Sequence, residues 1–108
     1  MKIISRPVGG GKTTELVQMM AEDENSVYVG PTRSMTLFAY ELSQRLGLNI
    51  EKHRFVPLAN ITSHGGLRGF PAETTLVVDE MESILSYILG GYPIRAMAIT
   101  EKSDSSLF

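Results

Sequence analysis

A run of glycine, lysine and threonine near the amino terminus has the composition and spacing of a phosphate-binding loop. The loop follows an apolar segment, residues 2–5, and opens a helical pattern over residues 12–22. Glycines let backbone N–H groups approach phosphate oxygens closely, and a helix N-terminus adds partial positive charge. The candidate nucleotide-binding residues are Gly9, Gly10, Gly11, Lys12, Thr13 and Thr14.

Within this loop the side chains predict specific roles. Lys12 is expected to reach the β- and γ-phosphates of a nucleotide and to act in catalysis, and Thr13 is expected to bind Mg²⁺ through its hydroxyl. The usual spacing places a glycine five residues before Gly11, but this sequence has Arg6 there. The guanidinium of Arg6 could face the phosphates or an adjacent chain, as a sensor or arginine finger, or it could point to solvent.

A second candidate element is the apolar segment 75–79, which ends in two acidic residues. Its lack of polar alternation is typical of a strand covered on both faces. Asp79 is expected to hold Mg²⁺ through water, and Glu80 to polarise an attacking water as the general base. Because this segment follows a phosphate-binding loop with other strands between them, it resembles a Walker B element.

The hydrophobic pattern predicts the elements that position these residues. Strands are predicted at residues 2–5, 26–29, 54–58, 75–79 and 94–99. Helices are predicted at residues 12–22, 34–46 and 81–89, and a loop at 63–74. Pro57 places the 54–58 strand at a sheet edge or marks the strand's end. The alternation indicates a single domain over residues 1–108, a three-layer α/β/α sandwich with a mainly parallel five-stranded sheet. Ligands of such sheets bind at the carboxyl ends of the strands.

Composition excludes several classes of protein. The chain has 108 residues, a net charge of −2 and no cysteine. These values give no global electrostatic attraction to nucleic acid and no disulfide framework or thiolate zinc site. The amino terminus lacks the apolar segment of a signal peptide, and no apolar run approaches the ~20 residues that span a bilayer. We therefore expect a cytoplasmic protein without a membrane partner, in a bacterial host if it is phage-encoded.

The order of these motifs resembles the first RecA-like lobe of helicases and of phage large terminase subunits, P-loop ATPases that carry a catalytic glutamate. The matching stretches are residues 9–14, 30–33, 67–69 with 76–80, and 98–100. The resemblance implies a P-loop NTPase fold, ATP with Mg²⁺ as ligand, hydrolysis, and DNA or RNA as a partner in phage-type nucleic-acid processing. It implies a nucleic-acid contact at Arg33, within Pro-Thr-Arg, and leaves Arg68 as a second candidate sensor or finger.

The sequence departs from these families at its carboxyl end. It stops just after the last predicted strand, whereas helicases continue into a second lobe and large terminase subunits into a nuclease. We therefore expect weak ATPase activity in the isolated chain. A protein partner or a second copy of the chain, forming a homo-oligomer, would complete the site with an arginine.

Two other functions are compatible with the same residues. Residues 11–16 are also similar to the phosphate loop of thymidine kinases, although those enzymes carry a cysteine-held zinc segment that this cysteine-free chain lacks. A non-enzymatic nucleotide-sensing adaptor is the other alternative. The intact set of Lys12, Thr13, Asp79 and Glu80 argues against a dead site but does not establish turnover.

Overall fold

Helices and strands alternate along most of the chain. The computed structural model describes residues 1–7, 9–63, 67 and 69–100. The elements in chain order are α1 (Lys12–Ala21), β1 (Ser26–Gly30), α2 (Arg33–Arg45), a 3-10 turn (Lys52–Arg54), β2 (Phe55–Pro57), α3 (Leu58–Ser63), β3 (Thr75–Val78) and α4 (Met81–Ile88). No helix within these described ranges is long and apolar enough to cross a membrane.

The three strands form one sheet in which every pair is parallel, in the order β2-β1-β3. All five residues of the central strand β1 are buried. Pro57 ends β2, which is an outer strand of the sheet, and it pairs with Gly30 of β1, as the sequence predicted. Because the strands are parallel, their carboxyl ends share one edge, and the residues that follow them meet there.

Helices cover both faces of the sheet. Neighbouring strand residues point to opposite faces, so Tyr28 and Val29 belong to different clusters. The Tyr28 cluster packs α1 and α2 against the sheet and contains Leu16, Val17, Met20, Ala39, Ile50, Phe55 and Val77. On the other face Val29 packs with Leu58 of α3 and Ile84 of α4. An α/β fold with a parallel sheet flanked by helices is therefore confirmed.

A buried arginine joins the starts of the strands to the end of α1. Arg54 is 8% exposed, and its Nε donates to the carbonyl of Ser26 at 3.0 Å. Its Nη2 donates to the carbonyls of Asp23 at 2.8 Å and Met20 at 3.2 Å. The last carbonyls of a helix have no N–H donors within the helix, so a guanidinium with several fixed donors suits this position.

The prediction of five strands was wrong for the part of the chain that the structure describes. Residues 2–5 and 94–99 run as irregular backbone, with Ile3 50% and Ile99 54% exposed, and only three strands form. Both segments have the apolar content of buried strands. Apolar composition indicates only that the side chains suit a half-buried surface. A strand also requires a second strand to which its backbone can hydrogen-bond. Neither segment has one within the described residues.

Candidate functional site

The glycine-rich segment forms a tight turn that leads directly into α1. The N–H of Gly10 donates to the carbonyl of Pro7 at 2.9 Å and closes the turn. Gly11 caps the helix with φ of 84°, a left-handed conformation that is costly for residues with a side chain. Since α1 begins at Lys12, the backbone amides of its first turn have no acceptor within the helix. The loop thus opens a helix at Lys12, as the sequence predicted, but the strand predicted before it does not form.

The side chain of Thr13 contacts the acidic residue that follows β3. Thr13 Oγ1 donates to Asp79 Oδ2 at 2.8 Å, although the two residues are 66 positions apart. Asp79 is 2% exposed, and its N–H donates to the carbonyl of Val29 at 3.0 Å, which ties its backbone to β1. The structure therefore brings together the two residues that were predicted to bind Mg²⁺.

Lys12 contacts the other acidic residue. Its Nζ lies 2.8 Å from Glu80 Oε1, and the side chains are 26% and 38% exposed. The pKa of Lys12 is raised, chiefly because its ammonium donates to Glu80, with further contributions from the charges of Asp79 and Glu82. One lysine therefore faces several carboxylates. A polyphosphate would be repelled by this group of acids unless a cation accompanied it.

The backbone of Glu80 adopts a conformation that few residues with side chains adopt. Its φ of 52° and ψ of 53° are left-handed, and it is the N-cap of α4 without capping the helix through its side chain. Its carbonyl accepts from the N–H groups of Ser83 and Ile84. This conformation costs of order 1–3 kcal/mol, and such residues cluster at functional sites. The left-handed backbone of Glu80 turns the chain from β3 into α4. It also leaves the Glu80 carboxylate in contact with the Lys12 ammonium.

The oxygens of Thr13 and Asp79 fit a magnesium ion better than they fit a transition metal, because Mg²⁺ prefers hard oxygen ligands. In nucleotide sites Mg²⁺ uses one or two carboxylates and takes its other ligands from phosphates and water. Among the described residues, no group of three His, Cys, Asp or Glu could hold a metal ion. The pair therefore fits a Mg²⁺ that takes its other ligands from outside the protein.

The candidate arginines occupy different places. Arg6 pairs with Glu15 of α1 and donates to the carbonyl of Gly10 at 3.5 Å, so it joins the loop to the helix. Arg33 is the exposed first residue of α2, beyond the carboxyl end of β1. Arg68 lies outside the described residues. A role as sensor, finger or nucleic-acid contact stays a prediction for all three.

Glu15 also anchors the segment before the loop. Its second carboxylate oxygen lies 2.7 Å from Lys2 Nζ, and the pKa of Glu15 is lowered mainly because it accepts from Lys2. The salt bridges to Lys2 and Arg6 border an open cleft of about 600 Å³ beside the loop. Thr14 of the loop and Gln18 of α1 also line this cleft. Its volume is within the range of small-molecule sites.

One site residue was missed by the sequence reasoning. The hydroxyl of Tyr28, in the middle of β1, donates to Asp79 Oδ2 at 2.7 Å. Burial, followed by this contact with Asp79, raises the pKa of the Tyr28 hydroxyl. The only signal in the sequence is a tyrosine flanked by two valines in a short strand, and this does not identify its partner.

Comparisons with models of protein families, with curated proteins and with solved structures gave no match. The chain's own geometry establishes a small α/β domain with a parallel sheet. At the carboxyl edge of that sheet, the loop before α1 meets the acidic pair that follows β3.

Proposed function

We propose that this chain binds ATP with Mg²⁺ and hydrolyses it slowly, as a P-loop ATPase with a RecA-like core. The observation that carries the proposal is the 2.8 Å hydrogen bond from Thr13 to Asp79. A glycine-rich strand–helix turn can arise for structural reasons alone. Its threonine hydroxyl meeting a buried carboxylate from a distant strand is the arrangement that a nucleotide-bound Mg²⁺ requires.

Each residue has a distinct part in this function. The amides at the start of α1 and the ammonium of Lys12 bind the phosphates, and Lys12 stabilises the charge that develops on them. Thr13 and Asp79 would hold Mg²⁺, which would neutralise phosphate charge. Glu80 accepts a proton from the attacking water. The water oxygen then bonds to the γ-phosphorus as the bond to the leaving ADP oxygen breaks.

The salt bridge between Lys12 and Glu80 must be exchanged during this cycle. Lys12 Nζ lies 2.8 Å from Glu80 Oε1, so each charge neutralises the other in this arrangement. When phosphates draw Lys12 away, the Glu80 carboxylate loses its cation and becomes a stronger proton acceptor. Nucleotide binding would thereby prepare the base, so that Glu80 is activated only in the loaded site.

The nucleic-acid part of the proposal depends on the resemblance to helicase and terminase lobes. Arg33 would contact a DNA or RNA backbone from the same sheet edge as the nucleotide, since it follows β1 and Asp79 follows β3. The cleft beside Thr14 and Gln18 has room for the nucleoside portion of ATP. A partner or second copy would supply a further arginine.

Nucleotide titration tests the binding part of this proposal. Lys12→Ala should lower the affinity for a fluorescent ATP analogue in Mg²⁺ by about 10–100-fold, as expected when a charged hydrogen-bond donor is lost. Lys52→Ala is the matched control, because Lys52 lies near the ring of Tyr40 and its loss should leave affinity unchanged. Circular dichroism of both variants checks the fold. Equal affinities in Lys12→Ala and wild type would overturn the assignment of the phosphate loop.

Product assays separate the proposal from its alternatives. Phosphate release from ATP, measured with and without DNA, supports an ATPase. Phosphate transfer to thymidine would instead indicate a nucleoside kinase. Tight binding that depends on Lys12, with neither reaction, would indicate a nucleotide-sensing adaptor.

A further inference from the structure

Tyr28 connects the centre of the core to the candidate metal site. It lies in β1 between β2 and β3, it is fully buried, and its ring centroid is 5.5 Å from that of Phe55. At the far end of the ring, the hydroxyl is 2.7 Å from Asp79 Oδ2. One side chain therefore contacts both the packed interior and the carboxylate that would hold Mg²⁺.

The Tyr28 hydroxyl is not required for packing. A phenylalanine would fill the same volume without the cost of burying a polar group. The backbone also leaves room for this ring, because a Cβ at Gly30 would lie 2.9 Å from Tyr28 Cε1. The hydroxyl adds a hydrogen bond to the carboxylate of Asp79, a residue that is itself 2% exposed.

Two hydroxyls hold the same oxygen of Asp79. Thr13 donates to Oδ2 at 2.8 Å and Tyr28 donates to it at 2.7 Å, from different elements of the fold. Together they hold this oxygen in place from two sides. Of the two donors, Thr13 is itself a predicted metal ligand. Tyr28 is anchored in the core, so it can keep the Asp79 carboxylate in one orientation before and after Mg²⁺ binds.

We propose that Tyr28 is a positioning residue that orients Asp79 for Mg²⁺. This inference rests on the proposed function, because it assigns Tyr28 a part in the same metal–nucleotide site. Residues that orient metal ligands typically change metal affinity by about 10–100-fold when they are removed. Removing the Tyr28 hydroxyl should therefore raise the Mg²⁺ concentration that nucleotide binding requires. The affinity for nucleotide without metal should stay the same.

The test is Tyr28→Phe, with binding of a fluorescent ATP analogue measured over a range of Mg²⁺ concentrations. We expect the concentration for half-maximal binding to rise about tenfold, with affinity in EDTA unchanged. Tyr40→Phe is the matched control, since Tyr40 packs edge-on against the same Phe55 ring at 5.5 Å. It should behave as wild type. In an Asp79→Asn background, Tyr28→Phe should have no further effect.

A second measurement uses wild type and does not depend on the folding of the Tyr28 variant. Mg²⁺ with nucleotide should change the tyrosine ultraviolet absorbance, and Tyr40→Phe should retain that change. An unaltered Mg²⁺ requirement in folded Tyr28→Phe, or no tyrosine signal on Mg²⁺ binding, would overturn the inference and leave the proposed function standing. If wild type bound no Mg²⁺–nucleotide, the proposed function would fail, and the inference with it.

Discussion

Removing the guanidinium of Arg54 should destabilise the fold without touching the candidate site. We consider Arg54→Met, which keeps an apolar stem of similar length. Two of the lost bonds are short, from Nε to the Ser26 carbonyl at 3.0 Å and from Nη2 to the Asp23 carbonyl at 2.8 Å. Both bonds come from a charged donor in a position that is 8% exposed.

The structure also limits the size of the effect. Hydrogen bonds to charged groups contribute about 1.5–3 kcal/mol each. The carbonyls of Asp23 and Met20 keep other donors, the N–H groups of Ser26 and Asp23, so the lower end of this range applies. The free energy of unfolding should therefore fall by about 3 kcal/mol. For a domain of this size that corresponds to a drop in Tm of roughly 10–20 °C.

Urea unfolding followed by far-ultraviolet circular dichroism measures this change, since the chain has no tryptophan to report by fluorescence. Arg95→Met is the control because Arg95 is exposed, and its effect should stay within about 0.5 kcal/mol. Arg54→Lys should be intermediate, since an ammonium keeps the charge but loses the planar fork of donors. If Arg54→Met were as stable as Arg95→Met, the bonds of Arg54 would not contribute as argued.

Two further predictions concern turnover. Glu80→Gln should retain Mg²⁺–ATP binding, because Lys12 is then free of its carboxylate partner and can bind phosphate. Phosphate release should fall by about 10²–10⁴-fold. A variant that hydrolyses ATP at the wild-type rate would exclude Glu80 as the base. Specific activity should rise across a hundredfold range of protein concentration if another copy supplies an arginine, and such a residue can raise the rate by about 10³–10⁵-fold. Light scattering with and without Mg²⁺–ATP provides the oligomeric state, and fast turnover by a monomer at every concentration would contradict completion by a second copy.

Elements with a clear local pattern were predictable from the sequence. The helices predicted at residues 12–22, 34–46 and 81–89 are observed as Lys12–Ala21, Arg33–Arg45 and Met81–Ile88. Their apolar spacing is a property of the helix itself and needs no knowledge of its neighbours. The expectation that Thr13 and Asp79 would share one site came from their motifs, a glycine-rich loop that opens a helix and an acidic pair that follows an apolar strand. Asp79 does follow β3, but the strand expected before the loop does not form.

Features that depend on distant contacts were not predictable. Tyr28 meets a residue 51 positions later, and Arg54 donates to carbonyls 28 to 34 positions earlier. In the sequence, Tyr28 resembles an ordinary core aromatic residue and Arg54 an ordinary surface arginine. The two segments wrongly predicted as strands failed for the same reason. Their composition could not show whether a neighbour would pair with them.

The open side of β3 has a practical consequence for work on this chain. Within the described residues β3 pairs with β1 alone, and Leu76 and Val78 are 49% and 36% exposed. A short apolar strand with unpaired backbone groups is a template for edge-to-edge aggregation. Concentrated samples should therefore be checked for irreversible precipitates before any assembly is attributed to nucleotide. Leu76→Lys, which places a charge on that edge, is the natural variant for keeping the protein dispersed.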